Sequence, residues 1–182
     1  MGIQDTHRKR TRNMKPKQKP IGDVIIKDTI TGKRRSREWF SSRLVDELKK
    51  VQDDVPDLDA VCGVSPNNLY FFTYSAKYAK ELKYWDTRPL VYVLELLGTG
   101  FYGYNLHYIN PVFRKVVAKS LKKNNSTRFA PEECFHQYLC TGILTNPLKV
   151  PKDSWESVAF LPTENFIDKN GQPVASSKVW SI

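Results

Sequence analysis

Apolar residues recur along this chain at two different spacings, and the change between them divides it into helices and strands. Phe40, Leu44, Leu48 and Val51 follow one another at steps of four, four and three, widened by Trp39 and Val45. That period predicts a helix over roughly 37–52 with Ser36 as its N-cap and Val55-Pro56 as its stop. From Leu69 to Arg114 the spacing tightens, and this quarter of the chain holds thirteen of its twenty-two aromatic residues. Leu69–Tyr74, after Asn67-Asn68, and Leu90–Leu97, between Pro89 and Gly98, read as strands. Phe101–Ile109 alternates with period two, placing Phe101, Gly103, Asn105, His107 and Ile109 on one face, and Tyr102, Tyr104, Leu106 and Tyr108 on the other. A third strand is predicted there.

The remaining segments follow from punctuation. Asp23–Lys33 reads as a short hairpin or one extended strand, and Leu58–Val64 as a linker or short strand. Ser75–Arg88 is a structured loop. Pro111–Lys123 is a helix with Phe113, Val116, Val117 and Leu121 inward, closed by Lys122-Lys123 and Asn124-Asn125. Pro131–Thr141 reads as a further helix, with Cys134, Phe135, Tyr138 and Leu139 buried. Trp155–Leu161 favours strand over helix, Lys169–Gln172 is a turn, and Val174–Trp180 is a last strand or an extended tail. The fold class is therefore α+β: a small antiparallel sheet, open to an SH3-like half-barrel form, packed by two or three helices. Trp85, Phe101, Leu106, Tyr108 and Trp155 are expected inside.

Charge changes this picture at one end. The net charge is +10. Residues 1–37 hold twelve Lys or Arg against three Asp, leaving the rest of the chain at +1. Residues 1–20 are also nearly devoid of apolar side chains. A segment that cannot offset its ordering entropy by burial stays extended or disordered until a partner orders it. The expected organisation is a basic arm over 1–37 and a single α+β domain over 38–182. The residues expected to touch a partner or nucleic acid are Arg8, Lys9, Arg10, Arg12, Lys15, Lys17, Lys19, Lys33, Arg34 and Arg35. Their charge suits DNA phosphates or an acidic protein surface.

Composition excludes several classes. No run of eighteen apolar residues is present, and the basic N-terminus lacks the apolar stretch of a secretory signal. Cys62, Cys134 and Cys140 make no even framework, so reduced thiols are expected. Cys134, His136 and Cys140 lack the partners of a zinc site, and no other motif calls for a cofactor. A metal-dependent nuclease would draw on Asp86, Glu95 and Glu81, but Leu96-Leu97 after Glu95 leaves no Lys to position water. Stacking of bases on the aromatic strands is disfavoured by their few interleaved Lys or Arg. Tyr102, Tyr104 and Tyr108 are read instead as core and interface residues.

The central block carries a resemblance. Tyr74–Lys77, Tyr84–Leu90, Gly100–Tyr108, Pro111 and Arg114 follow a pattern of Tyr-x-Ala/Pro-Lys, aromatic-aromatic-Asp before Pro-Leu, and Gly-Phe-x-Gly-x-Asn-x-His-Tyr followed by Pro and Arg. The pattern resembles that of small virion-associated proteins of large contractile-tailed bacteriophages, known as structural or DNA-end-protecting proteins. Ser154–Phe166 and Lys178–Trp180 are similar to this family's closing segments, so the resemblance spans about 65–182. It implies a non-enzymatic structural component of a tailed-bacteriophage particle, found in the virion and in the host cytoplasm during assembly. Other virion proteins are the implied partners, and no membrane. The alternatives are a protein that coats or protects double-stranded DNA ends through its basic arm, and a metal-dependent nuclease. Asp86, Arg88, Asn105 and His107 are expected to form a polar network fixing the loop against the sheet.

Overall fold

The computed structural model describes residues 18–30, 33–53 and 60–181. Arg8, Lys9, Arg10, Arg12, Lys15 and Lys17 of the basic segment, and most of the expected 58–64 linker's start, lie outside these residues.

Chain order is α1 (Ile21–Lys27), α2 (Arg37–Lys49), β1 (Leu69–Phe71), β2 (Tyr84–Asp86), β3 (Leu90–Leu97), β4 (Gly100–Asn105), α3 (Pro111–Asn124), β5 (Phe135–Leu139), β6 (Leu148–Lys149), α4 (Trp155–Phe160) and β7 (Phe166–Asp168). Strands run β5-β4-β3-β1-β6 in one antiparallel sheet, and β2 pairs with β7 in a second. The fold is thus α+β. Among the described residues no pairing joins β5 to β6, so the five strands form an open array.

Both faces of the sheet are covered, and the period of two decides which residue goes where. Leu69, Phe71, Leu90 and Tyr92 face the helices and join Leu44, Leu48, Val117, Leu121, Trp155 and Val158 in the main core. Their sequence neighbours Tyr70, Phe72, Val91 and Val93 point the other way and pack with Phe101 and Tyr138 in a smaller aromatic cluster. Gly103 lies in β4 where an added Cβ would meet the Val91 side chain and the Tyr92 carbonyl, so only glycine fits this close strand approach.

Several elements differ from expectation for reasons the packing supplies. Ile21–Lys27, expected as extended arm or hairpin, is a helix entered from Pro20. Ile21 and Ile25, four apart, reach the main core, and the Ile21 N–H donates to Ser154 Oγ at 3.0 Å. Burial of a helical stripe overrides the β-branched character of the segment. The strand from Phe101 ends at Asn105 because the Asn105 side chain accepts the His107 N–H and turns the chain into one 3-10 turn over Leu106–Tyr108, burying all three residues. Pro131–Thr141 is no α-helix: two 3-10 turns flank β5, an edge strand paired to β4 from Gly100↔Leu139 to Tyr104↔Phe135. Phe135 consequently stands 46% exposed. Trp155–Phe160 is helical, with Trp155, Val158 and Ala159 inward at steps of three and one, and residues 176–178 form a 3-10 turn.

Other expectations stand. The Ser36 hydroxyl accepts the Trp39 N–H at 3.2 Å, capping α2. Asn110 accepts from the Val112 N–H with Pro111 in the first turn, and Asn125 closes α3 in the left-handed region. In α3, however, Val116 and Phe113 face outward, and Arg114, Val117, Ala118 and Leu121 are the buried residues. Phe101, Leu106, Tyr108 and Trp155 are buried, whereas Trp85 is only half-buried.

Cys62 and Cys140, expected as free thiols, are joined in a disulfide with their Cα atoms 5.3 Å apart; Cys134 is free and buried. The bond spans 78 residues and ties the segment before β1 to the turn after β5. Cross-links closing loops of this length restrict the unfolded chain by a few kcal/mol. Reduction, or a Cys62→Ser variant, is expected to lower stability by about 2–4 kcal/mol. Equal denaturation midpoints with and without reductant would show that the cross-link adds nothing.

Candidate functional site

A layer of buried polar groups is assembled from five separate parts of the chain. β2 ends on Asp86, which is 3% exposed. Its Oδ1 accepts the backbone N–H groups of Arg88 and Asn165, each at 3.0 Å. Its Oδ2 accepts from Asn105 Nδ2 at 3.3 Å and lies 2.6 Å from His107 Nδ1. Burial works against this carboxylate, but the His107 charge and hydrogen bond, together with the two backbone donors, outweigh it and hold its pKa below the usual range. The other ring nitrogen, His107 Nε2, lies 3.0 Å from Thr163 Oγ1.

A second charged group adjoins the first. Arg114, on α3, has no exposed surface. Its guanidinium donates to the carbonyls of Ile109 (2.6 Å) and His107 (3.1 Å) and to Glu164 Oε2 (3.1 Å). Glu164 is fully buried and is also ion-paired through Oε1 with Arg37 of α2. Burial alone would raise its pKa; the charges of Arg114 and His107 and the bonds from Arg114 and Arg37 instead push it down to about 2. The Thr163 carbonyl accepts from Ser41 Oγ, so α2 is tied in twice.

Carboxylate, imidazole and hydroxyl stand here in the order of a nucleophilic triad. Thr163 has no exposed surface, so its hydroxyl is closed to any substrate atom. The chemistry this layer performs is the mutual compensation of buried charges. It joins the loop before β3, the turn after β4, α2, α3 and the 161–165 segment to one another.

Of the residues expected in a polar network, Asp86, Asn105 and His107 meet directly. Arg88 takes part through its backbone N–H, while its side chain reaches Glu38 at 3.6 Å. The sequence reading missed Arg114, Thr163 and Glu164. A signal for Arg114 was present, because it lies in phase with Val117, Ala118 and Leu121 at i, i+3, i+4 and i+7. Nothing local marks Glu164. Glu95 is exposed and Asp86 buried, so the carboxylates considered for a nuclease are not side by side in one environment. Among the described residues no group of three or more His, Cys, Asp or Glu side chains is placed to hold a metal ion.

The described part of the basic segment is exposed at Lys19, Lys33 and Arg34. Arg35 is half-buried, its guanidinium carbon 4.8 Å from the centre of the Trp39 ring. No described helix is long and apolar enough to cross a membrane.

Neither curated proteins nor solved structures provide a match for this chain. A family model does: that of the phage T4 terminal DNA protecting protein aligns with residues 5–135. The match runs from the basic segment through the Asp86, Asn105, His107 and Arg114 positions to the start of β5, and covers more than two thirds of the chain. This chain therefore belongs to the phage T4 terminal DNA protecting protein family.

Proposed function

We propose that the protein shields the ends of linear double-stranded phage DNA as a non-enzymatic component of the virion. The family match carries this reading, because terminal DNA protection is what the family is named for. The charge distribution supports it, since the excess positive charge is concentrated in residues 1–37. Cationic side chains displace counterions from phosphates and bind duplex without regard to sequence, as a protector of every chromosome end must. An extended segment of twenty residues reaches on the order of 60–70 Å, enough to follow the backbone well inward from a terminus. Protection in this scheme is steric: a bound end is not open to an exonuclease. Contacts with other virion proteins form the second part of the reading. They are supported by Val112, Phe113 and Val116 of α3, which stand 66%, 48% and 53% exposed.

The test is a linear duplex challenged with a double-strand exonuclease in the presence of the full chain. Resistant ends are expected at low salt, with resistance falling steeply as salt rises. A chain lacking residues 1–20 is expected to leave the ends open to digestion. Ends that the full chain leaves unprotected at every salt concentration refute the reading. Magnesium alone should produce no cleavage; cleavage abolished by Glu95→Ala, at an exposed position, would make the protein an enzyme.

A further inference from the structure

The outer side of the Asp86 layer opens into a cleft of about 590 Å³, between the 75–85 segment and β5. Its size is that of a small-molecule site. Its walls are aromatic: Tyr78, Tyr84, Trp85, Tyr108 and Phe135 line it together with His136. Tyr108 and His136 are in close ring contact, with centroids 4.4 Å apart. Tyr78 and Phe135 stand 56% and 46% exposed, although large aromatic side chains are ordinarily drawn inside.

One feature separates this cleft from a gap in packing. The segment forming one wall reads Lys77-Tyr78-Ala79-Lys80-Glu81-Leu82-Lys83, with all three lysines exposed. Lys77 Nζ lies 5.6 Å from the Tyr78 ring centre, and Lys83 Nζ lies 5.7 Å from that of Tyr84. Cationic ammonium groups beside aromatic faces form the combination that binds single-stranded nucleic acid, one taking phosphate and the other taking the base. The strands alone lack this interleaving; the 77–83 loop supplies it.

We infer that the cleft receives one unpaired nucleobase at a DNA terminus, stacked among Tyr78, Trp85 and Phe135, with Lys77, Lys80 and Lys83 on the adjoining phosphates. The inference deepens the end-protection reading and rests on it. An aromatic side chain from a partner protein would fill the same space, but it would not use the lysines. Holding the last base also gives the protein a way to tell a terminus from continuous duplex, where every base is paired and stacked.

The experiment measures binding of the full chain to three labelled duplexes: blunt, with a short single-stranded overhang, and with the same overhang made abasic. The expected result is tighter binding of the base-bearing overhang than of its abasic form by about 5- to 150-fold, the range for one aromatic–base stack. Tyr78→Ala and Phe135→Ala, both at exposed positions, are expected to erase that preference. Equal affinity for the base-bearing and abasic overhangs overturns the nucleobase site and leaves the cleft to a protein side chain. This comparison uses the unaltered chain, so it does not depend on any variant folding. Failure to bind any of the three duplexes at low salt overturns the end-protection reading itself, and the nucleobase site with it.

Discussion

Arg114→Ala is expected to destabilise the protein by about 3–5 kcal/mol, enough to unfold much of the population of an ordinary domain. The substitution removes a fully buried guanidinium and leaves Glu164 in the interior with Arg37 as its remaining cation. It also strips a donor from the carbonyls of Ile109 and His107. Removing both charges with Arg114→Met and Glu164→Gln is expected to recover part of the loss, because the one cation then left without its carboxylate, Arg37, has a side chain 40% exposed to water. The recovery is incomplete because the two carbonyls remain unpaired. Chemical denaturation of the single and double variants measures both effects. A single variant as stable as the parent chain would show that water reaches Glu164 and that the layer is not closed.

Acid is expected to act on the same carboxylate. The Glu164 pKa is about 2 in the folded chain against an ordinary 4.5. The unfolded chain thus takes up the proton first as pH falls. A depressed folded pKa contributes stability that is fully present above the unfolded value and is lost as pH drops through the folded one. The contribution is on the order of 3 kcal/mol, flat above about pH 5 and disappearing between about 4.5 and 2. Asp86, also shifted downward, adds in the same direction. Glu164→Gln is expected to flatten much of the acid limb of a stability–pH profile. Superimposable limbs for the parent and variant would exclude Glu164 as the group responsible.

Elements with a strong local period were legible in the chain. The α2 stripe, the Ser36 cap and the bounds of β3 depend on residues a few positions apart, and the folded protein keeps them. What failed was decided at long range. The 135–139 stretch has aromatic and polar residues compatible with either structure, and becomes a strand because β4 offers it an edge. Trp155–Phe160 and Ile21–Lys27 are short, rich in β-branched or aromatic residues, and helical because each packs against the other across 133 positions. The polar layer was half visible. Asp86, Asn105 and His107 stand within one motif, whereas Glu164 and Thr163 reach them only through the fold. A histidine near a carboxylate can be guessed from sequence; the pairing of Arg114 with a glutamate fifty residues later cannot.

The interlocking of distant segments bears on the protein's synthesis. The carboxylate opposite Arg114 belongs to residue 164, and the hydroxyl receiving the Ile21 N–H to residue 154. Edge strands β5 and β6 likewise lie beyond position 134. A nascent chain that has reached residue 150 therefore holds Arg114 without its counter-charge and the Ile21 N–H without its Ser154 acceptor. Such contacts close late, since chain elongation proceeds at about 5–20 residues per second and local helices form far faster. The first 150 residues are therefore a partly open sheet until the 154–164 segment has been made and can pack against them.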